Sequence, residues 1–338
     1  MISIGGMVPA DAGRRRPQAR ASGRGGLSLV EVLVVIAIIA GITGLVLPGM
    51  QSAREAGRRC QCLDHLRQIG LGFRHYEQAR GFFPTSVSGS GARHYWAAQI
   101  LPFVEESTVA GIYDYTVACS DVRNRSAVLL PLPLLVCPST PPPARQDVKF
   151  IKTGTTWPAA AADYAGSAGP DSTLWTAPAV VSWPQPASSD GFFTGTIKPG
   201  QRGRRVSDFT DGTSKSVALV ECAGRPQVWA FGGVSPDSGL ATSPTGKYVS
   251  LCGWADANLF KVKGFKQDVT QTDPCNQAKS PGPQLVNATN AMGIYACHPG
   301  GAGLLMADGA AQFVEATVSA DVVVAQLTIR AGDVVAAP

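Results

Sequence analysis

The chain has 338 residues, a formal net charge of +5, and only 16% charged residues. Five arginines and one acid in residues 1–26 supply +4 of that charge, leaving about +1 for the remainder, so no basic face is left for a nucleic-acid footprint, which needs clustered Lys and Arg. The 38 glycines and 25 prolines fall mostly after residue 80, which argues against a helical bundle and for short strands joined by loops.

Residues 1–26 read as a leader, with Met7 as a second candidate start. Residues 27–47 (LSLVEVLVVIAIIAGITGLVL) are nearly all apolar and long enough to cross a bilayer. The arginines just before this run place that end in the cytoplasm and send the C-terminal side outward. A secretory signal peptide has a shorter apolar region and a small-x-small cleavage site after it. Here Pro48-Gly49-Met50-Gln51 follows, and no cysteine stands at the junction for lipid attachment. A plain signal anchor would leave Glu31 unexplained, because a carboxylate inside an apolar span costs roughly 2.5–3.5 kcal/mol. Cleavage between Gly26 and Leu27 would make Glu31 the fifth residue of the mature chain. There it can pair with the α-amino group of a neighbouring subunit.

The run Gly26-Leu27-Ser28-Leu29-Val30-Glu31, continued by Val32-Leu33-Val34-Val35-Ile36-Ala37-Ile38-Ile39, resembles the cleavage and methylation signal of type IV prepilins and type II secretion pseudopilins. Position 27 is usually Phe or Met in those families, and Leu27 departs mildly from that usage. The resemblance implies that a membrane-embedded prepilin peptidase cuts after Gly26 and methylates Leu27. It also implies that Glu31 serves assembly with other pilin or pseudopilin subunits.

Beyond Pro48 the sequence turns amphipathic. Ala53, Ala56, Leu63, Leu66, Ile69, Phe73 and Tyr76 recur at helical spacing, and most charged residues fall on other faces. Gly81 stops this helix and Pro84 prevents its resumption. A continuous helix over 27–79 would be about 80 Å long, with a kink at Pro48 near the outer membrane face. His65 and His75 lie on it and read as surface or packing residues.

In the outer domain, Tyr95–Val104 reads as a short helix or strand. Residues 129–136 contain Pro131 and Pro133 and cannot form a central strand. Residues 137–145 read as a Pro-rich turn. Short strands are expected at 216–221, 227–231 and 248–252, and residues 263–290 read as a polar surface loop. Gly303–Val314 flanks Asp308-Gly309 with two apolar runs, which predicts a type I′ hairpin with strands at 303–307 and 310–315. His298 lies on the loop entering it. Asp308 is read as the turn-former and His298 as a residue that packs on the glycine loop; a ligand or metal held around His298, Asp308 and Gly309 is the alternative. The eight cysteines (Cys60, Cys62, Cys119, Cys137, Cys222, Cys252, Cys275 and Cys297) are an even count that suits disulfides in an exported protein. Unpaired or metal-bound thiols are the other reading; Cys60 and Cys62 form a C-x-C, not the C-x-x-C of a zinc or redox motif.

A second resemblance joins these pieces. The prepilin-like start, LPGMQSAREAGRRCQCLDHLRQIGLGFRHYEQARGFFP, LLVCPS, DYAGSAG, DGFF, VSDFTDGTSKSVALVE and HPGGAGLLMADGAAQFV are together similar to the large planctomycete-type family DUF1559. That family ends in a module named for His, nine residues, then Asp-Gly, and His298 with Asp308-Gly309 matches the spacing. The expected fold is α+β and pilin-like: a long N-terminal helix, half in the membrane and half amphipathic, packed on a mainly antiparallel sheet with a loop-rich outer domain. Its segments are a leader (1–26), a membrane and assembly helix (27–47), the amphipathic continuation (48–80) and an extracytoplasmic domain (81–338) that ends in the 298–315 hairpin.

The expected function is structural. The chain reads as a pilin-like or pseudopilin-like subunit in the inner membrane, single-pass, with its N-terminus cytoplasmic. After processing it would stand at the cell surface or in a pseudopilus, as a minor or adhesion- or secretion-associated component. An anchored ligand- or metal-binding module is the alternative. No G-x-S-x-G elbow, H-E-x-x-H or P-loop is present, so no enzyme activity, cofactor or metal is assigned from sequence.

Overall fold

A computed structural model describes residues 28–88, 92–141, 145–150, 156–176, 178–194, 202–234, 252–272 and 277–332. The chain divides into two compact units, Met1–Ser52 and Ala53–Pro338. The expected α+β class holds.

Helix α1 (Leu29–Arg80) is 52 residues long. In the first unit it begins with a reciprocal cap: Ser28 Oγ accepts the Val30 N–H at 3.2 Å, and the Glu31 carboxylate accepts the Ser28 N–H at 2.8 Å. This is a variant of the capping box, with the serine oxygen taking the second rather than the third helical amide, and it satisfies two backbone donors that the helix itself cannot. Every residue from Ser28 to Arg54 is exposed. Pro48 lies inside α1, and the helix runs through it without interruption.

In the second unit the stripe predicted from periodicity is buried: Leu66, Ile69, Phe73 and Tyr76, joined by Cys62. Ala53 and Ala56 are exposed, so the buried stripe starts at Cys62, about two and a half turns later than expected. The helix stops at Gly81, whose φ of +76° suits glycine and whose N–H reaches Glu77 O at 2.7 Å. Short elements follow: β1 (Val87–Ser88) pairs with β2 (His94–Tyr95), and α2 (Trp96–Ile100), α3 (Ser107–Ile112) and α4 (Arg125–Val128) succeed them. The Tyr95–Val104 segment is thus mainly helical. Residues 129–136 form no strand, as their prolines require.

The remaining strands are β3 (Gln146–Phe150), β4 (Thr156–Ala160), β5 (Tyr164–Pro170), β6 (Val217–Glu221), β7 (Trp229–Ala230), β8 (Gly233–Val234), β9 (Leu259–Val262), β10 (Phe265–Gln267), β11 (Ala278–Gln284), β12 (Gly301–Met306) and β13 (Ala311–Glu315), followed by helix α5 (Ala320–Leu327). The central sheet has the order β13-β12-β6-β5-β9; its pairs are antiparallel except the β5–β9 edge. Alternation along the strands divides the core between two faces. Tyr164, Leu219 and Leu305 meet the α1 stripe on one face. Ala165, Val220, Leu304 and Met306 meet Val323, Val324 and Leu327 of α5 on the other. Each large apolar side chain buried this way contributes about 1.5–3 kcal/mol.

Four expectations need correction or trimming. Residues 263–290 are not a loop: β10 and β11 form an antiparallel ribbon anchored by buried Phe265. Pro281 and Pro283 hid it, because proline in a strand normally signals a loop; both are tolerated here in a two-stranded ribbon broken by a bulge after Phe265. The hairpin at Asp308-Gly309 is not type I′. Gly309 N–H bonds Met306 O at 3.0 Å and Met306 N–H bonds Ala310 O at 2.8 Å, which closes a three-residue loop. Gly309 has φ +92° while Asp308 is not among the positive-φ residues, the pattern of a type I turn with a glycine bulge. The 227–231 strand shrinks to Trp229–Ala230, and of the 248–252 strand only Cys252 lies among the described residues.

Candidate functional site

Gly26 and Leu27 lie outside the described residues. Glu31 sits in the first turn of α1, engaged by its own cap. Asp308 is exposed at the hairpin tip, where its carboxylate accepts the Ala310 N–H at 2.9 Å. His298 is buried at the other end of β12. That six-residue strand separates the two by about 20 Å at 3.3 Å per residue, so His298 and Asp308-Gly309 do not form one site. Gly309 instead lets α1 approach: a Cβ placed on Gly70 would meet Gly309 Cα at 2.8 Å.

The structure gives His298 different neighbours. Cys62, Cys137, Glu221 and His298 are all buried, and their donor atoms lie within 4.8 Å of one another. Each comes from a separate segment. Cys62 is carried on the buried stripe of α1, in phase with Leu66 and Ile69. Glu221 ends β6 opposite Tyr164 of β5, on the face that meets α1. Cys137 follows the turn at Pro133–Leu135 and is pinned when its N–H donates to Asp163 Oδ2 at 2.9 Å; Asp163 is itself held by Arg145 at 2.7 Å. His298 precedes the glycines that open β12.

The contacts are specific. Cys137 Sγ is 3.2 Å from His298 Nε2, and Cys62 Sγ is 3.4 Å from Glu221 Oε1. His298 Nε2 is 3.8 Å from Glu221 Oε1. Outside the cluster, Glu55 Oε1 takes His298 Nδ1 at 2.6 Å, Tyr164 Oη meets Cys62 Sγ at 3.0 Å, and Gly303 N–H donates to Glu221 Oε2 at 2.8 Å. Glu55 is further held by Arg58 and by Ser139 Oγ at 2.9 Å.

These contacts set the protonation tendencies. Burial pushes Glu55 up, but hydrogen bonds from His298, Arg58 and Ser139 outweigh it and hold the carboxyl below its usual range. Burial likewise lowers His298, and its hydrogen bonds with Cys62 and Glu55 reverse this and raise it. The Cys137 thiol, donating to Cys62, brings the Cys62 sulfur down to about 5 against the penalty of burial, with His298 and Tyr164 assisting. Cys137 is driven up by the same bond and by burial. Burial and the Cys62 charge push Glu221 far above the carboxylate range. The cluster therefore holds two sulfurs, an imidazole and a carboxylate with no cationic side chain other than His298 among the described contacts.

Sequence reasoning singled out His298 and missed Cys62, Cys137, Glu221 and Glu55. Spacing could not reveal them, because the four donors come from four distant segments. The usable signals were the phase of Cys62 on the apolar stripe and an acid ending the run Val217-Ala218-Leu219-Val220. Among the other histidines, His94 is buried and engaged by Tyr113 Oη at 3.0 Å and Tyr115 O at 2.9 Å, while His75 is exposed. Cys60, Cys62, Cys137, Cys222 and Cys297 are free thiols.

Among the described residues one helix, α1, is long and apolar enough in its N-terminal part to cross a membrane. No curated protein and no solved structure matches the chain. The family model SBP_bac_10, described as a protein of unknown function (DUF1559), matches residues 51–321, and the chain belongs to that family.

Proposed function

We propose that the chain is a membrane-anchored, pilin-like or pseudopilin-like structural subunit. Prepilin peptidase cuts it between Gly26 and Leu27, and its head stands outside the cytoplasm as a minor or surface-associated component. The observation that carries this reading is Glu31. It is the one acid in the apolar, wholly exposed stretch from Leu29 to Gln51, and within the described residues its partner is the neighbouring Ser28 amide. A local cap accounts for a hydrogen bond there but not for a negative charge placed in lipid, which costs roughly 2.5–3.5 kcal/mol. The amino group released on cleavage supplies the opposite charge on the next subunit.

Cap and charge are separable, because glutamine serves a capping box as well as glutamate does. Glu31→Gln keeps the acceptor for Ser28 and loses the charge. Both Glu31→Gln and Glu31→Ala are expected to reduce incorporation into the filament or pseudopilus fraction at least tenfold without lowering membrane levels. Normal incorporation of Glu31→Gln would reduce Glu31 to a helix cap. The buried cluster of Cys62, Cys137, Glu221 and His298 favours a second reading, an anchored metal- or ligand-binding module.

A further inference from the structure

We infer that Cys62, Cys137, His298 and Glu221 bind a single Zn2+ ion that fastens the outer part of α1 to the central sheet. The inference deepens the binding-module reading. It does not depend on how the N-terminus is processed, because all the residues concerned lie from Glu55 onward.

Three of the six donor-to-donor distances are close to those of a tetrahedral ligand set. Zinc bonds of about 2.3 Å to sulfur, 2.0–2.1 Å to nitrogen and 2.0–2.2 Å to oxygen give ligand-to-ligand edges of about 3.4–3.8 Å. The three edges seen here are 3.2 Å (Cys137 Sγ to His298 Nε2), 3.4 Å (Cys62 Sγ to Glu221 Oε1) and 3.8 Å (His298 Nε2 to Glu221 Oε1). These three edges lie within a few tenths of an ångström of those values, and all four donor atoms lie within 4.8 Å of one another.

The surroundings are built for ligation. A metal-binding histidine normally gives its other ring nitrogen to a carboxylate, which fixes the tautomer and aims the free nitrogen at the metal. Glu55 does this at His298 Nδ1, at 2.6 Å, and leaves Nε2 facing the sulfurs. The Tyr164 hydroxyl at 3.0 Å supports the Cys62 sulfur, and the Gly303 N–H at 2.8 Å holds Glu221 Oε2, leaving Oε1 for the centre. Glu221 is 0% exposed and lies against two sulfurs and an imidazole, so a metal bound there would be shielded from water on the glutamate side. A divalent ion neutralises most of two thiolates and one carboxylate.

Ligand chemistry selects the ion. Two thiolates and an imidazole suit Zn2+, whereas Mg2+ and Ca2+ require oxygen ligands. Four protein ligands and full burial leave no open coordination position, which marks a structural site. A surface cleft lined by Ser139, Asn287, Cys297, His298 and Gly300 reaches the histidine and gives an entry path. Two other arrangements of the same atoms compete. Cys137, His298 and Glu55 stand in the order of nucleophile, base and orienting acid. That reading gives no role to Cys62 or Glu221 and leaves Cys137, 1% exposed, without room for a substrate. A Cys62–Cys137 disulfide is the third arrangement.

The test is metal analysis of the full chain, purified in detergent from the exported fraction without chelators or reductant. One zinc per chain is expected. Replacement by Co2+ should give tetrahedral d–d bands and thiolate-to-cobalt charge transfer. Cys62→Ser and Cys137→Ser should each lose the metal. Because they risk misfolding, two milder variants accompany them. Glu55→Gln should weaken zinc 10–100-fold with the cobalt spectrum retained, and His298→Cys should retain the metal with stronger charge transfer. Absence of zinc together with a Cys62–Cys137 disulfide by mass overturns the inference. So does metal-free protein in which an electrophile alkylates Cys137 alone in the folded chain. Zinc found in a chain with an uncut N-terminus upholds the site and removes only the processing reading.

Discussion

The two parts of α1 are one helix by backbone and two different objects by side chain. From Leu29 to Ser52 apolar residues point in every direction, and all are exposed. From Ala53 to Arg80 the apolar residues narrow to a stripe, and Leu66, Ile69 and Phe73 on it are almost wholly buried against the sheet. An all-round apolar helix finds its partners in lipid or in other helices, while a striped one finds them in its own domain. The same secondary structure is therefore specified by two different environments. Its acids follow suit: Glu31 caps its own helix end, and Glu55 reaches across to the head through His298 and Ser139.

Paired substitutions along the helix sharpen this contrast. The largest difference is expected between Leu66→Ala and Leu45→Ala. Leu66 is 0% exposed and Leu45 82%. Removing the buried side chain should cost about 2–5 kcal/mol, whereas the exposed one should leave head stability unchanged. Tryptophan fluorescence during denaturation of the full chain in detergent reads the head alone, because all six tryptophans lie between Trp96 and Trp254. Equal effects of the two substitutions would erase the distinction.

Glycines give a smaller, signed version of the test. A Cβ at Gly70 would meet Gly309 Cα at 2.8 Å and Leu305 Cδ1 at 2.9 Å, while at Gly57 it meets nothing within 4 Å. Gly70→Ala should therefore destabilise by about 1–3 kcal/mol through overpacking. Gly57→Ala should stabilise by about 0.5–1 kcal/mol by removing backbone freedom from the unfolded chain. The same unfolding assay checks both, and equal signs would show that α1 does not approach the hairpin as described.

What could be read from the sequence follows from how local each signal is. The helix was legible because its period, its stop at Gly81 and its apolar start lie within one continuous segment. The β12–β13 hairpin was legible in outline from Asp308-Gly309, but its turn type depends on which residue takes the positive φ. β5, an interior strand of the sheet, was not legible. Tyr164–Pro170 is rich in Ala and Gly rather than β-branched residues, and Gly166 is small because the Phe193 ring lies where its Cβ would be, 2.7 Å away. β11 was masked by its two prolines. The cluster at His298 was half legible: the histidine stood out, but its companions are assembled only by the fold, and Asp308, its neighbour in the sequence motif, faces solvent at the far end of a strand.

The most direct test of the account is the mass of the mature N-terminus, measured by mass spectrometry on membrane and surface fractions. The account predicts a chain that begins at Leu27, with or without N-methylation. An intact N-terminus, or one that starts beyond residue 47, would contradict it and leave α1 as a simple anchor or a removed signal.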